Sequence, residues 1–314
     1  MRVLFAGSPE IAVPALEAIA LRHQVVGVLS NPDAPKGRGL AVERTPIAAR
    51  AAELLPGVPI LTPARLGQVE RDAVAALRPD VLAVFAYGHI FGPKFLGLFH
   101  LGGINAHPSL LPRWRGCAPI PYAIMHRDER TGVSVQRIAA RMDAGEILAQ
   151  TAFELTGSET TGSLSERCAL LGAGMMADAL DLLKEGTECG EPQDERQATY
   201  SAAISKDDGK IDFSTDVRDL YARVRAFDPW PGSWTTLNGD RLAVLAMEPH
   251  DDEDAALGVA HGTILRVDKF NGIMVKTGRG LAALKRLQLR GKKPLGFKEF
   301  SNGARGLEGT ILGI

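Results

Sequence analysis

Two regimes of apolar and polar positions divide the chain. Residues 3–6, 25–29 and 81–86 are nearly continuous apolar runs, the pattern of strands buried on both faces of a parallel sheet. Between the first two, after the break Gly7-Ser8-Pro9, residues 13–21 carry apolar side chains at helical spacing. The same spacing predicts helices over residues 63–77, 119–126 and 160–184, and residues 132–138 read as a further strand. This strand–helix–strand opening implies a parallel α/β sheet with right-handed crossovers. Beyond residue 200 the pattern changes. A helical piece at 217–226 is followed by short strands at 242–247, 263–267, 272–276 and 281–289, a spacing that predicts a small β-barrel. The expected fold class is α/β, a Rossmann-like, mostly parallel sheet with helices on both faces over residues 1–188. A polar linker follows over 189–205, then an OB-like barrel over 206–314.

A parallel sheet invites dinucleotide binding, yet no Gly-x-Gly-x-x-Gly follows the first strand. Looser matches beginning at Gly172 and Gly278 lack the strand-then-helix context. The chemistry concentrates instead between Asn105 and Gly116. Asn105 and His107 stand two apart, so an extended backbone sends both side chains from one face. Pro108 and Pro112 then bar a helix, leaving a strand tip and a stiffened loop. His107 can serve as a general acid or base near neutral pH, and Asn105 can donate to an oxygen gaining charge. The bland alternative is that the pair only ends a strand and caps a turn. Ser109 lacks a Gly-x-Ser-x-Gly elbow and reads as a loop-orienting residue rather than a nucleophile. Phe85 to Gly88 and Asn105 to Ser109 both fall at carboxyl ends of strands, where one crevice can hold them all.

With 314 residues, 23% charged and 45% apolar, the composition is that of an ordinary globular chain large enough for two cores. The net charge of −1 conceals nine Lys or Arg against one acid, Glu299, between Lys276 and Arg305. Residues 31–39 are punctuated by Pro and Gly too often for regular structure and carry Lys36 and Arg38. They read as a surface connection or as an arm for an anionic partner. Trp230 and Trp234, among prolines, read as a plug at a domain joint in preference to base-stacking groups. Cys117, Cys168 and Cys189 are too scattered for a disulfide framework, which fits the cytoplasm, and no metal-ligand spacing occurs. The opening Met1 to Gly7 is expected to be a strand and not a signal peptide, and no 18-residue apolar run suggests a membrane span.

The run Asn-x-His-x-Ser-Leu-Leu-Pro-x-x-Arg-Gly from Asn105 to Gly116 resembles the core motif of the 10-formyltetrahydrofolate-dependent formyltransferases, in particular those acting on initiator methionyl-tRNA. The likeness extends from Phe5-Ala6-Gly7 to Asn302-Gly303. It includes a Pro-Asp-x-Pro-x-Gly-Arg-Gly arm, Asp-x-Gly-Glu-Ile-Leu from Asp143, and Gln288-Leu-Arg-Gly-Lys-Lys-Pro. Leu295 stands where the family commonly has Met, Cys117 where it has Ala, and Arg137-Ile-Ala-Ala-Arg141 replaces a less basic run beside the folate pocket. The resemblance implies 10-formyltetrahydrofolate as co-substrate without a metal, initiator methionyl-tRNA as partner, and no obligate protein partner. It implies a triad of Asn105, His107 and Asp143. It also implies a folate site of Phe85, Ala86, Tyr87, Gly88, Ser109, Leu110, Leu111 and Pro112, with Tyr87 and its neighbours acting through the backbone. For tRNA it implies Lys36, Arg38, Arg286, Arg290, Lys292 and Lys293. Alternatives are another amine acceptor such as an amino-sugar nucleotide or a purine precursor, hydrolysis of the same donor, or a non-catalytic RNA-binding module.

Overall fold

Arg2–Gly7 is the strand on which the first sheet is laid, and Val3, Leu4, Phe5 and Ala6 are wholly inaccessible in the computed structural model. Residues 1–36, 41–251, 258–304 and 306–314 are described. Arg2–Gly7 pairs in parallel with Gln24–Leu29 on one side and Val81–Phe85 on the other. Ile60–Leu61 extends the first side. Gly103–His107 extends the second in parallel, followed by antiparallel Arg130–Arg137 and Ile147–Glu154. The chain thus winds outward one way and then returns to the other side of its first strand. Open α/β sheets hold ligands at the carboxyl ends of the strands flanking such a switch point.

Helices cover this sheet for local reasons. Pro46–Leu54 starts where Thr45 Oγ1 accepts the Ala48 N–H at 3.1 Å. The 25-residue helix Thr161–Glu185 buries Leu164, Cys168, Met176, Leu180 and Leu183, an inward stripe of helical period. Its Gly172 lies against Phe85, where a Cβ would stand 3.0 Å from the ring. A small residue there lets the helix press on the strand end that reaches the site.

The helix expected over 63–77 spans Gln68–Ala76, because Gly67 forms its N-cap and gives its N–H to the Glu70 carboxylate at 2.7 Å. Residues 31–39 are not wholly irregular: Ala34–Lys36 pairs antiparallel with Ala41–Glu43. A two-stranded ribbon has a free edge, so Pro35 is tolerated in it. Pro46–Leu54 and Ile147–Glu154 were not legible as elements. The first buries only Ile47, Ala48 and Ala51, and the second is an edge strand that buries only Phe153.

Two units can be distinguished, one made of Met1–Pro119, Arg130–Glu154 and Leu164–Ala202, the other of Ile120–Glu129, Leu155–Ser163 and Ala203–Ile314. In the second unit Ser233–Leu237, Asp240–His250, Leu281–Leu289, Gly272–Lys276 and Ile264–Asp268 follow one another antiparallel. The chain end joins its two edges. Ile264 donates to the Thr310 carbonyl and Leu312 to that of Gly262, both at 2.8 Å, while Gly313 donates to Thr236 at 3.0 Å. The sheet therefore closes as a barrel, with Val217, Leu220 and Val224 of helix Val217–Ala226 packed into its core. Among the described residues no helix is long and apolar enough to cross a membrane.

Candidate active site

A cavity of about 370 Å³ opens at the carboxyl ends of Val81–Phe85 and Gly103–His107. Phe85, Ala86, Tyr87, Gly88, Asn105, His107 and Asp143 all line it, so residues far apart in sequence share one wall. Ile11, Ile90, Phe91 and Met142 add apolar surface. Its size and mixed lining suit a small organic ligand.

His107 is buried, and its Nε2 lies 2.8 Å from the Trp114 carbonyl. A carbonyl only accepts, so Nε2 carries a proton in that contact and Nδ1 is the ring atom left for chemistry. Nδ1 stands 3.7 Å from Asp143 Oδ1. The Asp143 carboxylate is held from two sides: Oδ2 accepts the Gly116 N–H at 2.8 Å, and Oδ1 accepts from Gln136 Nε2 at 3.0 Å. Gln136 faces Asn105 across the antiparallel pair of strands, which is why its amide reaches the site. Asp143 itself adopts φ +51, a left-handed conformation that Asp tolerates better than most residues. The segment that follows it presses so closely on Arg130–Arg137 that a Cβ at Gly145 would stand 1.8 Å from the Arg137 carbonyl oxygen. Only glycine fits there.

Tyr87 behaves differently from its neighbours. It is 2% exposed, with its ring stacked on Phe91 at 5.4 Å and 15°. Its carbonyl accepts from Asn31 Nδ2 at 3.2 Å, and its hydroxyl has no hydrogen-bond partner among the described residues. Burial, with a smaller contribution from Glu70, pushes this phenol up to about 12.

Ser109, Leu110, Leu111 and Pro112 do not line the cavity. Ser109 Oγ donates to the Arg113 carbonyl at 2.6 Å, and the Ser109 carbonyl accepts from Ser134 at 2.7 Å. Leu111 is tied to Ser134 through its N–H and to Gln150 through its carbonyl. Serine and leucine backbone groups are consumed inward, and this loop shapes the approach to Trp114, the hydrogen-bond partner of His107. The basic run after Gly103–His107's neighbour strand is also tied down. Arg137 pairs with Glu188 at 2.6 Å and Arg141 with Glu195 at 2.7 Å. Gln136, Gln193 and the wholly buried Arg115 escaped sequence reasoning, although Arg115 lies inside the core motif. A polar residue alternating into an apolar strand was the one available signal, at Gln136.

The expected tRNA contacts fall in two places. Arg38 lies outside the described residues, and Lys36 ends the ribbon strand Ala34–Lys36. In the second unit Arg286, Arg290, Lys292 and Lys293 are exposed on one hairpin, where Leu281–Leu289 meets Leu295–Gly296. Lys285, beside them, is instead paired with Glu248 at 2.7 Å. Trp234 is covered by Arg241, whose guanidinium carbon stands 4.2 Å from the ring centroid. Among the described residues no group of His, Cys, Asp and Glu is placed to hold a metal.

Comparison with known proteins adds to this geometry. Residues 1–180 match the formyl transferase family, and residues 203–305 match the formyl transferase C-terminal domain. The methionyl-tRNA formyltransferase of Treponema pallidum is 45% identical over the full length of both chains. That of Ectopseudomonas mendocina is 43% identical over 97% of this chain and 95% of its own. Among solved structures, the N-formyltransferase of Helicobacter canadensis, in complex with folinic acid and dTDP-3-aminofucose, superposes with a TM-score of 0.65. It covers 93% of this chain and 99% of its own at 17% identity. HypX of Aquifex aeolicus in complex with tetrahydrofolic acid also reaches 0.65, over 98% of this chain and 48% of its own at 15% identity. At those identities the structures speak for the fold alone.

Proposed function

The chain belongs to the methionyl-tRNA formyltransferase family, and on that footing we propose that it transfers the formyl group of 10-formyltetrahydrofolate to the amino group of methionine on initiator methionyl-tRNA. The observation that supports this most is the meeting of Asn105, His107 and Asp143 on one cavity. The cavity suits the donor: Asn105, His107, Gln136 and Asp143 give its lining polar groups, and Phe85, Ile90 and Phe91 give it apolar surface that can cover a flat ring system. The methionine nitrogen bonds to the formyl carbon, and the carbon–N10 bond breaks. Meanwhile the amine loses a proton and the departing nitrogen gains one. In between, the formyl oxygen becomes negative. Asn105 and a proton on His107 Nδ1 stabilise that oxygen, and Asp143 takes the amine's proton and supports the charged ring. Nothing in this sequence requires a covalent link to the protein.

For the acceptor, Arg286, Arg290, Lys292 and Lys293 form the phosphate-binding patch of the second unit, with Lys36 and Arg38 on the arm. Cys117, Cys168 and Cys189 are free thiols, in keeping with a reducing cytosol. The test is formyl transfer to charged initiator tRNA beside an amino-sugar nucleotide acceptor. Transfer should occur to the tRNA alone. Asn105→Ala, His107→Ala and Asp143→Ala should each lower turnover by about 10²–10³ with little change in donor affinity. Near-normal turnover in any of the three, with chemistry limiting, removes that residue from the mechanism. Preference for the sugar nucleotide overturns the acceptor.

A further inference from the structure

Residues 191–201 strap the site from outside, and one side chain in that strap reaches both of its halves. Glu191 and Ile147 exchange backbone hydrogen bonds of 2.9 and 2.8 Å, just past the Asp143 turn. At the other end Thr199 accepts from Trp114 and Arg115, and Tyr200–Ser201 pairs with Arg115–Gly116. Trp114 supplies the carbonyl that holds His107, and Gly116 the N–H that holds Asp143. Between these ends lies Gln193.

The Gln193 amide is orientated without ambiguity. Its Oε1 accepts from Arg115 Nε at 3.0 Å and Nη2 at 2.8 Å, and a guanidinium only donates. Its Nε2 therefore faces three acceptors: the Gly145 carbonyl at 2.7 Å, the Asp143 carbonyl at 2.9 Å and Gln136 Oε1 at 3.2 Å. Arg115 is fixed in turn by both oxygens of Glu195, at 2.9 and 3.1 Å. Gln136 is the residue whose other amide atom donates to the Asp143 carboxylate. Gln193 thus grips the Asp143 backbone on one side and orients the donor to its side chain on the other.

We propose that Gln193 is a positioning residue for formyl transfer, holding the Asp143 turn at its working distance from His107. The proposal rests on the assignment of Asp143 to the reaction made above. Its chemistry predicts an unusual pair of variants. Gln193→Leu removes both ends of the grip. Gln193→Glu keeps the volume and the acceptor for Arg115, so the strap stays fastened, yet it turns an acceptor oxygen toward three acceptors.

The experiment measures single-turnover and steady-state transfer to charged initiator tRNA for Gln193→Leu, Gln193→Glu and Asp143→Asn, with thermal unfolding of each. A misplaced reacting group of this kind should slow transfer about 10–100-fold in both Gln193 variants, with Michaelis constants for donor and tRNA within about threefold of the parent. A role confined to fastening the strap predicts instead that Gln193→Glu reacts normally, and that result overturns the proposal even if Gln193→Leu is slow or unfolded. Normal rates in both Gln193 variants beside a slow Asp143→Asn also overturn it while leaving the reaction assignment intact. A normal Asp143→Asn fails the assignment itself and the proposal with it.

Discussion

Replacing Tyr87 by Phe removes one oxygen and nothing else. The ring keeps its burial and its stack on Phe91, and the backbone that lines the cavity is untouched. What goes is a hydroxyl without a partner among the described residues. A buried, unsatisfied polar group costs about 1–3 kcal/mol relative to its hydrated state in the unfolded chain. Deleting it should return part of that, because the space it filled loses a few dispersion contacts. A net gain of about 1 kcal/mol is expected, or about 2–4 °C in melting temperature for a unit of this size. Urea unfolding reads it directly as a higher midpoint at constant slope. There is a second signature at alkaline pH. Because burial raises this phenol to about 12, the unfolded chain ionises it from about pH 10 while the folded one does not. Stability associated with the neutral phenol is present below pH 10 and lost between about 10 and 12, so Tyr87→Phe should fall less steeply there. Folate affinity should stay unchanged if the residue acts through its backbone. A loss of more than about 1 kcal/mol would show the hydroxyl to be bonded, through water for example, and refute the accounting. A tenfold rise in the Michaelis constant for the donor would place the hydroxyl on the ligand.

Glu195 offers a test at the acid end. Arg115 and then Arg141 hold its carboxyl down to about 2, so its contribution is present above the ordinary carboxylate range and is lost as pH falls through about 4 toward 2. Glu195→Gln should flatten the fall of melting temperature with pH in that window, and an unchanged curve would mean that the ion pair adds nothing to folding. At the second unit, replacing Lys292 and Lys293 together by Ala should reduce the slope of log K against log salt for tRNA binding by about one to two, similarly for any tRNA. An unchanged slope would take that hairpin out of the tRNA interface.

What the chain discloses before folding follows from how far each interaction reaches. The strands at residues 3–6, 25–29 and 81–85 are buried on both faces, so each position reports the same environment and the pattern is unbroken. Asn105 and His107 lie on a single strand, where a spacing of two is itself a statement about direction. Ile147–Glu154, by contrast, is an edge strand, and exposure on an edge erases the signal that burial would write. The barrel was foreseeable from its strands, yet its closure was not, because that depends on Thr310 to Gly313 meeting two separate edges.

The loop after His107 shows the same limit more sharply. Ser109 to Pro112 follow His107 and Pro108, and the family resemblance assigns them to the folate site. In the fold the Ser109 N–H turns back to the His107 carbonyl, and the other hydrogen bonds of this loop run to Arg113, Ser134, Gln150 and Thr199, none of which lines the cavity. The groups that do hold Asp143 come from Gly116, Gln136 and Gln193, and no sequence separation links those three. They are joined by topology: Gln136 lies opposite Asn105 across an antiparallel pair, and residues 191–201 cross over both ends of the site. A reacting group can be read from its own chemistry, since only a few residue types hold or move a proton near neutral pH. The residue that holds it in place can be any amide, and glutamine on a loop looks like solvent-facing filler until folding brings its three acceptors to it. This asymmetry explains why Asn105 and His107 stand out in the sequence as candidates, why Asp143 is singled out only through the family resemblance, and why Gln136 and Gln193 are not singled out at all.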